Sequence, residues 1–288
     1  MPSFGIGITT WRAPAYFQQC LDTLAHNDLT DVDVHVFQEG ETCHMTGSQR
    51  TRPKEIAGNR AVFDRAVIPH KFWHQHEHNI GYYNNRFGML DLLGGEYDGF
   101  LGIEDDVIMS AHCVAIVRRL VDQFRDNPRV GLISPGMRLR CKTENADNYW
   151  DAVLLNDGRT SRLCVTAMSA ETWEAIKPNY QDYGTIIASV PYHQIGKQHI
   201  REAVHLWAVS KGSDITEVSG DTALLRATLL AGRQRMFCVL NRATNIGDNG
   251  LNCTPEVLAQ LGDGHQPIYE SDDELNITKF RIVDEGAQ

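Results

Sequence analysis

Two hydrophobic periods alternate along the first half of the chain. "FGIGIT" (4–9) is an unbroken apolar run of the kind found in buried strands, and after it Pro14 can open a helix with Tyr16, Phe17, Cys20, Leu21 and Leu24 on one face. "VDVHVFQE" (32–39) alternates in the strand period, "HKFWHQHEH" (70–78) is a weaker third strand, and "YYNNRFGMLDLLGG" reads as a helix that stops at Gly94 and Gly95. "GFLGI" (99–103) is a central strand, followed by a helix from about Ser110 to Phe124. That helix has its stripe at Cys113, Val117, Leu120, Val121 and Phe124, with Ser110 as its expected cap and Pro128 beyond its end. "VGLIS" (130–134) adds a further strand. This alternation predicts an α/β fold, Rossmann-like, with a mostly parallel central sheet covered on both faces.

The second half has a different texture. "RLCVTAMS" reads as a strand, "AETWEAIKP" as a short helix, "YHQIGKQHIREAVHLWAVSKG" and "GDTALLRATLLAG" as helices and "RMFCVLN" as a strand, before a tail rich in Gly, Asn and Asp. No repeat or low-complexity linker divides the chain. The expectation is one domain over 1–288 with two functional halves, 1–135 and 136–288.

A chain of 288 residues, 42% hydrophobic and 22% charged, is ample for a sizeable core. Its net charge of -10 does not favour wholesale binding to nucleic acid or an anionic membrane. Seven cysteines, at 20, 43, 113, 141, 164, 238 and 253, are scattered and form no CxxC pair, a pattern of reduced thiols rather than of a disulfide framework or zinc ribbon. The first residues lack a signal-peptide pattern, and no run reaches the roughly 18 apolar residues of a membrane span. A cytoplasmic protein is expected, or one of a host's cytoplasm if the source is viral, with no membrane partner.

The strand "GFLGI" runs directly into Glu104, Asp105 and Asp106. Three adjacent carboxylates repel one another, and burying them unpaired is costly. In open α/β sheets the crevice beyond the carboxyl ends of the strands is where ligands bind. A hard dication, Mg²⁺ or Mn²⁺, commonly takes one or two carboxylates together with substrate phosphates, and would relieve the repulsion. A solvated acidic turn is the alternative.

Several motifs then resemble one family. "ITTWRAPAYFQQCLDTL" resembles the opening strand, turn and first helix of family-2-like nucleotide-sugar glycosyltransferases with the A-type fold. "HNIGYYNNRFGMLDLLGGEYDGFLGIEDDV" is similar to their Asn-x-Gly segment, helix and acidic metal motif. "SGDTALLRATLLAG" looks like their Ser-x-Asp helix near the acceptor, and "NRATNIGDNGLN" like their late Ile-Gly loop. The resemblance implies that Thr9, Thr10, Arg12 and Glu39 face the nucleotide, and that Asn79, Gly81 and Arg86 lie beside nucleotide and diphosphate. It implies Asp106 as the direct metal ligand, with Glu104 and Asp105 on the ribose, the sugar or metal-bound water, and Asp221 as the catalytic base. Where many relatives carry a metal-binding histidine this chain has Asn245, which can ligate through its carbonyl oxygen, and Asp248 is close by. The implied reaction is transfer of a hexose from a nucleoside-diphosphate sugar, UDP-linked above others, to a hydroxyl with inversion. Retention is equally compatible with the acidic triplet, and helix capping is the alternative for Asp221.

For the acceptor, a hydroxymethylated pyrimidine in DNA, as in small phage-type transferases, stands against a glycan or small molecule. Six basic residues between His44 and Lys71 (Arg50, Arg52, Lys54, Arg60, Arg65, Lys71) face only Glu55 and Asp64. This surplus suits a phosphate backbone or the donor diphosphate, or else a solvated helix face. His70, His74, His76 and His78 share a strand face, as a metal site or a polar edge. Trp150, Trp173, Tyr180, Tyr183, Tyr192 and Trp207 are candidates for acceptor stacking or for core, with one or two expected in the cleft. Gly5 and Gly7 lack the third glycine of a dinucleotide fingerprint. A sugar nucleotidyltransferase would share the acidic site but needs a Gly-rich basic loop, which "TTWRAPAY" lacks. A non-catalytic nucleotide-sugar-binding protein is the remaining alternative.

Overall fold

The computed structural model describes residues 3–136, 151–155, 163–213, 217–238, 240–247, 268, 270–272, 276–277 and 279–284. In the first half, β1 (Phe4–Thr10), α1 (Pro14–Ala25), β2 (Val32–Gln38), α2 (Pro53–Arg65), β3 (Lys71–Gln75), α3 (Tyr82–Glu96) and β4 (Gly99–Glu104) alternate. They are followed by β5 (Val107–Met109), α4 (Cys113–Phe124) and β6 (Val130–Ser134). The second half holds β7 (Asp151–Leu155), β8 (Val165–Ser169), α5 (Ala170–Ile187), α6 (Gln198–Ser210), α7 (Gly220–Leu230), β9 (Gln234–Cys238), β10 (Ala243–Asn245) and β11 (Arg281–Asp284).

Among the described residues, nine strands make one sheet in the order β11-β7-β9-β6-β8-β4-β1-β2-β3. Strands β3, β2, β1 and β4 run parallel, β8 is antiparallel to both its neighbours, and β6 and β9 are again parallel. The expected α/β class with a mostly parallel central sheet is therefore what the chain adopts. One core, built on α1, α2 and α4, covers one face, and a second, built on α3, α5, α6 and α7, covers the other. Every residue of β1 is buried, as a central parallel strand requires. Gly5 and Gly7 serve packing here: a Cβ on Gly5 would stand 2.5 Å from the Tyr97 ring, and one on Gly7 2.5 Å from the Met89 side chain. Both contacts are with α3 or its C-terminal edge, so the glycines let that helix lie close on the strand.

Local signals mislead at four helix ends. α3 does not stop at Gly94 and Gly95 but continues to Glu96. A Cβ at Gly94 would lie 2.3 Å from Trp173, so this glycine admits a ring from α5 and does not end the helix. α5 runs through Pro178 to Ile187, because Tyr180, Tyr183 and Ile187 beyond the proline are buried in the second core. Their burial offsets the roughly 3 kcal/mol that an interior proline costs. Ser110 does not cap α4: the Asn27 side chain, at the end of α1, accepts the Val114 N–H at 2.9 Å. The helix expected from Tyr192 onward is a single turn at Tyr192–Gln194, followed by α6 from Gln198.

No helix among the described residues is long and apolar enough to cross a membrane. Cys20, Cys43, Cys113, Cys164 and Cys238 are buried. Cys141, Cys253, Trp150 and Asp248 lie outside the described residues.

Candidate functional site

Thr9 on β1 stands opposite Glu104 on β4, so the acidic triplet leaves the sheet beside the end of β1. Immediately afterwards β5 pairs antiparallel with β10, placing Val107 opposite Asn245. This two-stranded ribbon lays the Asn245 to Gly247 loop against the triplet. The Ile246 N–H donates to the Asp106 carbonyl at 2.8 Å, and the Asn245 Nδ2–H donates to Asp106 Oδ1 at 2.5 Å. Asn245 Oδ1 accepts the Gly247 N–H at 2.9 Å. Asn245 thus turns its N–H, not its carbonyl, toward the Asp106 carboxylate, and the two hydrogen bonds together fix the amide's orientation. Gly247 gives Asp106 its room, since a Cβ there would sit 2.0 Å from Asp106 Oδ2.

The other two carboxylates of the triplet face different neighbours. Asp105 turns inward, accepting the Thr10 hydroxyl at 2.6 Å and the Trp11 N–H at 3.2 Å, while its own N–H donates to the Thr9 carbonyl at 3.1 Å. Asn59 of α2 donates to Thr10 Oγ1 and to Gln38 Oε1, which anchors the turn from beneath. Burial lifts Asp105 to about 6, against the two hydrogen bonds from Thr10 and Trp11. Arg12 stacks its guanidinium over the Trp11 ring at 4.1 Å.

Glu39 leaves the end of β2 buried, and its Oε2 accepts the Ile80 N–H at 2.8 Å. Burial raises it to about 7, opposed by the Ile80 and Gly81 N–H groups. It thereby pins the Asn79 to Gly81 turn, where Gly81 takes φ 84 as the residue before α3. That left-handed region suits glycine.

Glu104 belongs to a buried cluster. Arg86, on α3, is 2% exposed. Its NH1 donates to the Tyr82 hydroxyl, to Glu104 Oε1 at 3.2 Å and to Asp221 Oδ1 at 3.4 Å. Its NH2 donates to the Leu163 carbonyl and to Thr166 Oγ1. The Tyr82 hydroxyl lies 2.8 Å from Glu104 Oε1 and 3.0 Å from Asp221 Oδ1. The Leu163 N–H donates to Asp221 Oδ2 at 3.2 Å. Burial, then the charges of Asp221 and Asp106, raise Glu104 to about 7 against Arg86 and the Tyr82 hydroxyl. Arg86 is therefore a buried counter-ion to Glu104 and Asp221.

Asp221 is not the cap of its helix. Ser219 holds that position and accepts the Thr222 N–H at 3.0 Å, leaving Asp221 in the first turn with its carboxylate toward Tyr82 and Arg86. The Glu104 and Asp221 side chains keep 22% and 26% of their surface exposed, so the cluster opens to solvent on the carboxylate side. Beside it lies a shallow, half-open cleft lined among others by Cys43, Asn79, Gly81, Ile187 and Tyr192. The Tyr192 ring is 5.7 Å from the Tyr82 ring and so connects cleft and carboxylates. Of the named aromatics, Tyr192 lines the cleft, whereas Trp173, Tyr180 and Tyr183 are core and Trp207 packs edge-on against Tyr183. Residue chemistry alone gave no reason to single out Tyr82 or Gly220. Both matter only through contacts between segments far apart in the chain.

The remaining features are largely structural. Arg52 pairs with Glu55 and Arg60 with Asp64, while Lys71 donates to three carbonyls at the end of α2. Part of the basic surplus thus holds one helix. His74 bonds His35, and His76 bonds Asn85. No group of three or more His, Cys, Asp or Glu among the described residues is placed to hold a metal by itself.

No protein-family model and no curated protein matches the chain. Among solved structures, TarS 1–349 of S. aureus gives a TM-score of 0.45 at 10% identity, over 82% of this chain and 60% of that one. The mannosyltransferase PcManGT of Pyrobaculum calidifontis, in complex with GDP-Man and Mn²⁺, gives 0.43 at 10% identity over 80% and 75%. The galactosyltransferase LgtC, in complex with donor and acceptor sugar analogues, gives 0.41 at 13% identity over 80% and 72%. The chain thus spans three fifths of the TarS fragment.

Proposed function

We propose that this protein is a metal-dependent glycosyltransferase of the A-type fold, moving a hexosyl group from a UDP-type nucleotide sugar to an acceptor hydroxyl. The observation that carries the reading is the meeting of two carboxylates from distant segments. Glu104 at the end of β4 and Asp221 from α7 share one hydroxyl and one guanidinium, with Asp106 two residues away along the chain. The donor set fits a hard dication that takes one carboxylate, Asp106, and completes its shell with diphosphate oxygens and water. Asn245 would orient Asp106 as a hydrogen-bond donor. When bound, Mn²⁺ or Mg²⁺ would offset the negative charge that develops on the departing diphosphate.

The chain's own residues supply the remaining steps. Thr9, Thr10, Arg12, Glu39, Asn79 and Gly81 border the nucleotide in this reading, with Asp105 bracing the turn that carries the first three. Asp221 takes the proton of the acceptor hydroxyl as that oxygen attacks the anomeric carbon and the bond to the diphosphate breaks, a single displacement with inversion. General-base assistance of this kind contributes about 10²–10⁴-fold. The acceptor would approach through the cleft beside Tyr192. Hydroxymethylated DNA and a glycan are both retained as acceptors.

The test is turnover. The protein is incubated with several UDP-sugars and Mn²⁺, alone, with hydroxymethylcytosine-containing DNA and with oligosaccharides, and UDP release and product mass are measured. Sugar-dependent release with a matching mass increase on one acceptor is expected. No release with any donor and acceptor, from protein with an intact thermal transition, would contradict the reading.

A further inference from the structure

Tyr82 joins four parts of the site. Its hydroxyl accepts from Arg86 and lies within 3.0 Å of both Glu104 Oε1 and Asp221 Oδ1, and its ring lies against Tyr192. The ring also lies on the first turn of α7. A Cβ built on Gly220 would stand 2.5 Å from Tyr82 Cε1 and 2.7 Å from Cδ1. The residue before Asp221 therefore has to lack a side chain for Tyr82 to reach over it. Gly220 needs no special backbone for this, since it is not among the glycines with positive φ. The interlock is one of space, between "GYYNNR" at the start of α3 and "SGD" at the start of α7.

We infer that Tyr82 is a positioning residue: seated on Gly220, it fixes the direction of the Asp221 carboxylate. Resting on the proposed transferase reading, this makes Tyr82 the element that holds the base toward the acceptor. Asp221 Oδ1 is held by Tyr82 and Arg86 and Oδ2 by the Leu163 N–H, so the carboxylate is fixed from both sides. Without the hydroxyl, Oδ1 keeps only the 3.4 Å contact with Arg86, and the plane of the carboxylate is held less firmly. A misplacement of about 1 Å at a reacting group can cost on the order of 10²-fold in rate.

Two variants test the inference by different routes. Tyr82→Phe removes only the hydroxyl, and Gly220→Ala keeps the hydroxyl but displaces the ring. Gly220→Ala replaces a poor helix former with a good one but crowds the Tyr82 ring, so α7 is expected to fold with a modestly lowered melting temperature. For both, the kcat of the folded protein is expected to fall by roughly 10- to 100-fold, with the KM for the nucleotide sugar within about twofold of wild type. A purely structural role would instead leave the kcat of the folded fraction intact, whatever the melting temperature, and would overturn the inference. Wild-type kcat in both variants, with Asp221→Asn inactive, would likewise overturn it while leaving the transferase reading standing. Full activity in Asp221→Asn would remove the base itself and the inference with it.

Discussion

At the scale of single residues, the site depends on which atom each carboxylate turns to which neighbour. Because Ser219 caps α7, Asp221→Asn is expected to leave the melting temperature within a few degrees of wild type while lowering transfer by about 10²–10⁴-fold. Thermal melts and initial rates on one preparation check this, and a variant as active as wild type would exclude Asp221 as base. Gly247 gives a second prediction. A Cβ at 2.0 Å from Asp106 Oδ2 must push that carboxylate away, so Gly247→Ala is expected to weaken Mn²⁺-dependent UDP binding at least about tenfold, read by calorimetry. Sequence brought Asp106, Asp221 and Asn245 forward because their residue types and order resemble a motif. It could not assign Asn245's hydrogen bonds, since amide orientation depends on the Gly247 N–H and the Asp106 carboxylate as they meet in space.

At the scale of elements, the alternating periods identified β1, β2, β4, β6 and the stripes of α1 and α4, because burial on a sheet or helix face leaves its period in the sequence. Breakers were misleading wherever tertiary packing used them. Gly94 is the clearest instance and yields a prediction of reversed sign. In an exposed helix, Gly→Ala stabilises by about 1 kcal/mol. Here the new methyl would meet the buried Trp173 ring at 2.3 Å, and overpacking costs typically ~1–3 kcal/mol. Gly94→Ala is therefore expected to lower the melting temperature, and an increase would contradict the packing argument.

The second elemental prediction concerns β2 and β3. Tyr97 donates to Asp33, so His35 Nε2–H donates to the Tyr97 oxygen, and His35 Nδ1 accepts from His74 Nε2–H at 3.0 Å. Burial holds both imidazoles below the usual 6.5, and the His74 charge adds to this for His35; Glu96 pulls both back up, with Asp33 helping at His35, while His76 lowers His74 further. The folded state thus prefers them neutral, while the unfolded chain takes up protons below about 6.5. Their contribution is full above that pH and is lost as pH falls through the lowered folded values. Urea midpoints should drop between pH 7 and 5, and His74→Gln should flatten that slope. An unchanged slope would count against the pair.

At the scale of the whole molecule, the sheet places everything that matters on one rim. β1 and β4 lie side by side and parallel, so the first turn and the acidic triplet meet, and β2 beside them contributes Glu39. In the proposed reading the acceptor side comes from α7 and from the turn after α5. These cross the rim because both helices pack on the same face as α3. The half proposed to hold the donor was readable from strand order and polarity. The coupling of Tyr82 to Gly220 was not, because it joins residues 138 positions apart in the sequence through a close contact that leaves no periodic trace.

The central claim is that Asp106 and its neighbours form a site for a dication carrying a diphosphate. Isothermal titration of UDP into the protein, with Mn²⁺ and then with excess EDTA, tests it most directly when repeated on Asp106→Asn. The account predicts binding by the wild type with Mn²⁺, lost or weakened at least about tenfold by EDTA and by the substitution alike. Equal UDP affinity under all three conditions, or no UDP binding by the folded wild-type protein, would contradict it.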